Sequence, residues 1–220
     1  MKTTILLTSL LFAVAAEAAD PAELIAKANE NARTSQKAAE LARARLARLM
    51  ARHPEMHLSV PAEGQHADLE VIPIYTIELD KLKTYDPSID PTTILVDTKR
   101  AFWSAYYGPT PGNRGQILSS VEMYLTRNGW RTAKLGCGHY AERIAEAIDK
   151  ARAPANVLLI EIPPMACYYI AFADKHNRLV FAPLDKGMDY FKDNDPIPLS
   201  ARKVLTKLVP LAQFLNGRPN

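Results

Sequence analysis

The sequence predicts an α+β protein, an antiparallel sheet with packed helices, preceded by a long N-terminal helix. Three observations predict it. Residues 22–53 are rich in Ala, Leu, Lys, Arg and Glu and contain no Gly or Pro. From residue 71 onward, short runs of β-branched and aromatic residues recur (VIPIYTIEL, NVLLIEI, CYYIAFA, RLVFAP), and such runs fit a pleated, buried surface. Between and after them, apolar residues repeat at helical spacing in HYAERIAEAIDKAR and SARKVLTKLVPLAQFL.

The first element is an export signal over residues 1–18. Lys2 is followed by an uncharged, mostly apolar run from Ile5 to Ala16 and by the small-residue site Ala16-Glu17-Ala18, which predicts a cut before Ala19. The run is too short for a bilayer, which needs roughly 20 apolar residues. The expected location is therefore the periplasm, with a soluble mature chain.

Residues 19–53 read as one amphipathic helix. Asp20 can cap it and Pro21 suits its first turn. Its second half puts Ala42, Leu46, Leu49 and Met50 on one side and Arg45, Arg48 and Arg52 on another. That arginine side fits contact with an anionic membrane surface or a partner, and equally a solvated face. His53 and His57 stand at i, i+4 near His66, but Pro54 breaks the helix between them, so no metal site is expected. Residues 54–69 read as a polar linker.

Residues 70–220 form the expected core domain. VIPIYTIEL is a strand, placed at a sheet edge by Pro73. TTILVD opens an extended or mixed segment, and AFWSAYY fits strand or helix. PTPGN is a turn. Asn113 can cap a helix from Arg114 to Asn128 that Gly129 closes, with Ile117, Val121, Tyr124 and Leu125 at helical spacing. A helix over 139–152 buries Tyr140, Ala141, Ile144, Ala145 and Ile148. NVLLIEI is a fully buried strand. CYYIAFA and RLVFAP flank DKHN as a hairpin. A last helix is capped by Ser200 and interrupted at Pro210.

The chain has 220 residues and a net charge of +3. That weak, dispersed excess does not predict nucleic-acid binding. There is no phosphate-binding Gly loop and no clustered metal-ligand spacing, so no cofactor is expected. The two cysteines, Cys137 and Cys167, read as a disulfide in an oxidising compartment.

Cys137 stands in GCGHYAERIAEAI, at or just before a helix start, where unpaired N–H groups and the helix dipole favour a thiolate. From Gly136 to Asp185 the order of residues and elements resembles the transglutaminase-like superfamily, which includes bacterial transglutaminase-like cysteine proteinases. The matching features are Cys137 at a helix start, Tyr140-Ala141, Pro154-Ala155, the strand from Val157 to Ile162 and the hairpin 167–183. The resemblance implies Cys137 as nucleophile. Cys167, however, stands at the position of the family's His, and Ala182 at that of its Asp. The resemblance therefore implies a core without its catalytic His, and a Cys137–Cys167 disulfide in place of the catalytic pair. Such a bridge would close a loop of about 30 residues and stabilise by roughly 3–4 kcal/mol.

Three functions fit these residues. The first is a non-catalytic accessory protein that binds an envelope protein or peptide, with Tyr168 and Tyr169 lining the groove and the N-terminal helix as a second contact. The second is an active cysteine hydrolase or acyltransferase. Cys137 would attack, His139 or His176 would act as base, and Asp185 would orient it. His176 lies nine residues beyond Cys167, roughly 30 Å along a strand, which places it far from a Cys137 beside position 167. The third is an immunity or inhibitor protein against a secreted toxin, which no residue specifies.

Overall fold

A computed structural model describes residues 19–52, 68–107, 116–136, 138–184 and 198–215. Two helices come first, Pro21–Arg33 (α1) and Gln36–Arg52 (α2). Strand Asp68–Ile77 (β1) and the short helix Leu79–Lys83 (α3) follow. Three strands lie next along the chain, Leu95–Tyr107 (β2), Gln116–Thr126 (β3) and Gly129–Leu135 (β4). Helix Gly138–Ala151 (α4) leads into Leu158–Ile162 (β5), Cys167–Ala173 (β6) and Leu179–Pro183 (β7). Leu199–Ser200 (β8) and Ala201–Phe214 (α5) end the described chain.

The strands form one sheet in the order β4-β3-β2-β1-β5-β6-β7-β8. Every pair is antiparallel except β1–β5. The fold is therefore α+β with a mixed, mostly antiparallel sheet, rather than the purely antiparallel one expected. A parallel pair needs a crossover, and α4 is part of it.

Alternation along the strands sorts side chains to two faces. On one face, Ile25 and Ala28 of α1 and Val204, Leu205 and Leu208 of α5 pack on Ile160, Tyr169 and Phe181. Beside them, Ala39 and Ala42 of α2 pack on Val71, Trp103 and Met123. On the other face, Ala141, Ile144 and Ile148 of α4 pack on Ile72, Phe102, Leu159 and Ile170. The result is three layers. Residues 19–53, set apart from the core by the sequence reading, belong to it up to Arg52. No described helix is long and apolar enough to cross a membrane.

The single N-terminal helix of the sequence reading is two helices, broken at Thr34-Ser35. Both hydroxyls bond back to carbonyls of the preceding turn, Thr34 to Asn31 and Ser35 to Ala32, each at 2.6 Å, which competes with continuation of the helix. Both then accept from indoles of the sheet. Trp103 Nε1 donates to Ser35 Oγ at 2.6 Å and Trp130 Nε1 to Thr34 Oγ1 at 2.9 Å.

Three further expectations are corrected. The helix expected over 114–128 is strand β3, followed by a turn in which Gly129 has φ +93°. Val121 and Met123 face α2 while Ser120 and Glu122 are buried on the α4 side, a period-two alternation over 120–123 that the helical spacing of Ile117, Val121, Tyr124 and Leu125 masked. Pro73 lies in a central strand. Pairing of β1 with β5 starts only at Ile74, so at Pro73 the second edge of β1 is open and tolerates a residue without an N–H. Helix α5 runs through Pro210 instead of stopping, because Leu208 and Ala212 on either side are fully buried against the core. The linker over 54–69 falls outside the described residues up to 67, and β1 already starts at Asp68.

Candidate functional site

Helix α4 starts right after the sheet leaves β4. Gly136 has φ +79° and donates its N–H to Ser120 O at 2.9 Å, which turns the chain onto the second face. The first turn of α4 sets the Tyr140 ring over β2 and β6. It packs edge to face on Phe102 (5.5 Å, 87°) and on Tyr168 (5.8 Å, 79°). Such pairs prefer this geometry because the ring edge is positive and the face negative.

Beneath this aromatic group lies a charged cluster drawn from four strands, β2, β3, β4 and β5, with β1 between β2 and β5. Arg100 on β2 donates from Nε to Glu122 Oε1 at 2.7 Å and from Nη1 to Glu161 Oε2 at 2.8 Å. Lys134 on the edge strand reaches Glu122 Oε2 at 3.3 Å. Both carboxylates are buried, Glu122 to 6% and Glu161 to 8% exposure. Burial works against the Arg100 charge, but the bonds and charges of Glu122 and Glu161 outweigh it and hold the guanidinium protonated. A bulge precedes Arg100, where Lys99 takes φ +56°, and bulges commonly re-aim neighbouring side chains.

Three hydroxyls complete the site. Ser104 and Ser120 sit opposite each other on β2 and β3, each 1% exposed. Their Oγ atoms and the Tyr140 hydroxyl are buried without a hydrogen-bond partner among the described residues. Burial, reinforced by the negative charge of Glu161, pushes the Tyr140 pKa far up. The arrangement is a buried polar cluster with hydrogen-bonding capacity unused among the described residues, beside an ion-pair cluster.

Of the described site residues singled out from sequence, only Tyr168 is found there. Cys137 and Asp185 lie outside the described residues, as do His53, His57 and His66. His139 is on the first turn of α4, but its side chain is 85% exposed, with Nδ1 3.7 Å from Glu142. His176 is in the β6–β7 turn, its N–H bonded to Asp174. That turn is pinned to the start of α1 through Asn177, which bonds Asp20 and Ala22. Cys167 is 1% exposed in the α1/α5 layer, on the opposite face from α4. Its thiol donates to Met165 O at 3.4 Å, and burial raises its pKa.

Tyr168 and Tyr169 point to opposite faces. Tyr168 packs on Tyr140 on the α4 face. Tyr169 is fully buried and stacks on Phe181 at 5.5 Å, which corrects its placement in a binding groove. Among the described residues no group of three His, Cys, Asp or Glu could hold a metal. Sequence reasoning missed Arg100, Glu122, Glu161, Ser104 and Ser120. The available signal was a lone acid inside an apolar run, Glu161 in NVLLIEI and Glu122 in SVEMYL, because a buried carboxylate requires a partner.

A second concavity separates α1 from the β2 bulge. Two adjoining cavities of about 400 and 250 Å³ share Ala28, Asn31, Tyr75, Asp97 and Lys99. Burial and the Asp97 charge push the Tyr75 pKa up to about 12. Comparison with protein-family models, with curated proteins and with solved structures returned no match.

Proposed function

We propose that this chain is an exported, non-catalytic protein of the cell envelope that binds a partner protein or peptide at the polar cluster under α4. One observation carries the reading. Both buried carboxylates of the cluster are ion-paired with Arg100, and neither described imidazole enters it. A thiol beside α4 would therefore have no general base drawn from the described residues of the cluster. The hydroxyls of Tyr140, Ser104 and Ser120 offer a partner unmet hydrogen bonds at a buried site, where each is worth most. The signal-like residues 1–18 support export. The succession of α4, β5, β6 and β7 supports a transglutaminase-like core. Cys167 is buried on the α1/α5 face, and the expected Cys137–Cys167 bridge remains part of the reading that labelling tests.

Cysteine labelling tests the reading. The mature protein, purified without reductant, is treated with iodoacetamide at pH 7 while folded, and again after unfolding. A non-catalytic protein labels at Cys137 no faster than glutathione, and at Cys167 only once unfolded. No label at either position before reduction identifies a Cys137–Cys167 bridge and equally excludes a thiol enzyme. Labelling of Cys137 about a hundredfold faster than glutathione overturns the proposal, because only an activated thiolate reacts so fast.

A further inference from the structure

Helix α2 carries five basic residues against one glutamate, so this helix alone exceeds the net +3 of the whole chain. Its inner side, Ala39, Ala42 and Leu46, is buried, which fixes the orientation of its outer side. Lys37, Arg45, Arg48 and Arg52 are all exposed there. Leu41 stands between Lys37 and Arg45 at 64% exposure. None of the four cations has a carboxylate partner among the described residues. The lone acid, Glu40, accepts from Gln36 and lies near Arg43.

Arg45 and Arg48 are spaced i, i+3 and Arg48 and Arg52 i, i+4, positions at which like charges repel and destabilise a helix. The helix dipole accounts for Arg52 in the last turn, and not for the three cations further back. A stripe that opposes its own helix, stays unpaired and holds an exposed leucine at its centre is complementary to an anionic, partly apolar surface. We infer that the α2 stripe docks the protein on an anionic phospholipid bilayer, with phosphate headgroups meeting Lys37, Arg45, Arg48 and Arg52 and Leu41 entering the interface. The inference stands independently of whether the α4 cluster is catalytic.

The test is co-sedimentation of the mature chain with vesicles of equimolar phosphatidylglycerol and phosphatidylethanolamine, against vesicles of phosphatidylcholine alone. Binding to the anionic vesicles only, weakening steeply as salt rises, is expected. The double variant Arg45→Glu, Arg48→Glu should lower the partition coefficient roughly thirtyfold. The distant double variant Arg152→Glu, Lys175→Glu makes the same change in net charge and should leave binding within about threefold. A Lys37→Gln, Arg52→Gln variant, which reverses no charge, should give an intermediate loss. Equal binding to both vesicles, or equal loss in the α2 and the distant double variants, overturns the inference. No binding at low salt also overturns it, and leaves an acidic protein as the partner class that the stripe fits.

Discussion

The sheet face under α1, α2 and α5 and the face under α4 are interiors of different kinds. On the first, the fully buried Tyr169 and Phe181 stack in a cluster closed by the aliphatic residues of two helices. Its buried polar contacts include the bond between Trp103 and Ser35, while Arg43 Nε of α2 is buried without a hydrogen-bond partner among the described residues. The second has an equally apolar centre around Ile144 and Leu159, but at the start of α4 it buries two glutamates against the partly exposed Arg100, and three hydroxyls without partners among the described residues. A face built only for stability has no need of groups that are costly to bury. The difference supports the proposed use of the α4 face in recognition.

Four substitutions sharpen or break this comparison. Tyr169→Ala should destabilise most, by about 3–5 kcal/mol in urea unfolding, because it empties a ring-sized volume in the closed face. A loss below about 1 kcal/mol would mean that this face is not the structural one. Arg100→Met should cost about 3 kcal/mol, near the low end for a broken buried pair, since Arg100 is partly exposed. It also changes the pH profile. Without Arg100, Glu161 is buried with no ion partner among the described residues and Glu122 keeps only the exposed Lys134, so burial raises the pH at which each carboxyl gives up its proton. The variant should then be closest to the parent in acid and lose stability as pH rises through those values, and a loss independent of pH would refute the pairing.

Ser35→Ala should cost about 1–3 kcal/mol by leaving the Trp103 indole N–H buried without an acceptor. Urea unfolding together with the Trp fluorescence maximum reports it. Tyr140→Phe is the smallest effect and the most informative in sign. Removing a buried hydroxyl that lacks a partner should leave stability unchanged or raise it by up to about 1 kcal/mol. A clear loss would show that the hydroxyl is already satisfied in the free protein and would remove it from the recognition site.

Much of the second half of the fold was legible from sequence because its signals are local. The apolar stripe of α4, the Ser200 cap of α5 and the DKHN turn between β6 and β7 each lie within a few residues of the structure they specify. The candidate site was far less legible. Tyr140 was visible as a core position and in the Tyr140-Ala141 match, not as a site residue, and the partnership of Arg100 with Glu122 and Glu161 spans 22 and 61 residues. Tyr168 and Tyr169 looked alike as neighbours, and strand alternation separated one to the α4 face and one to the core.

The sequence by itself determined the identity and order of most elements after residue 130, and the export-like pattern before residue 19, since periodicity, caps and turn residues act over one or two turns of chain. Only the tertiary structure decided where the N-terminal helix breaks, because the acceptors of Thr34 and Ser35 are used by indoles 96 and 68 residues away. It likewise decided that 116–126 is a strand and that Pro73 and Pro210 are tolerated inside regular elements. In each case a local preference of a few tenths to about 3 kcal/mol is outweighed by burial against distant partners, at about 1.5–3 kcal/mol for each large apolar side chain.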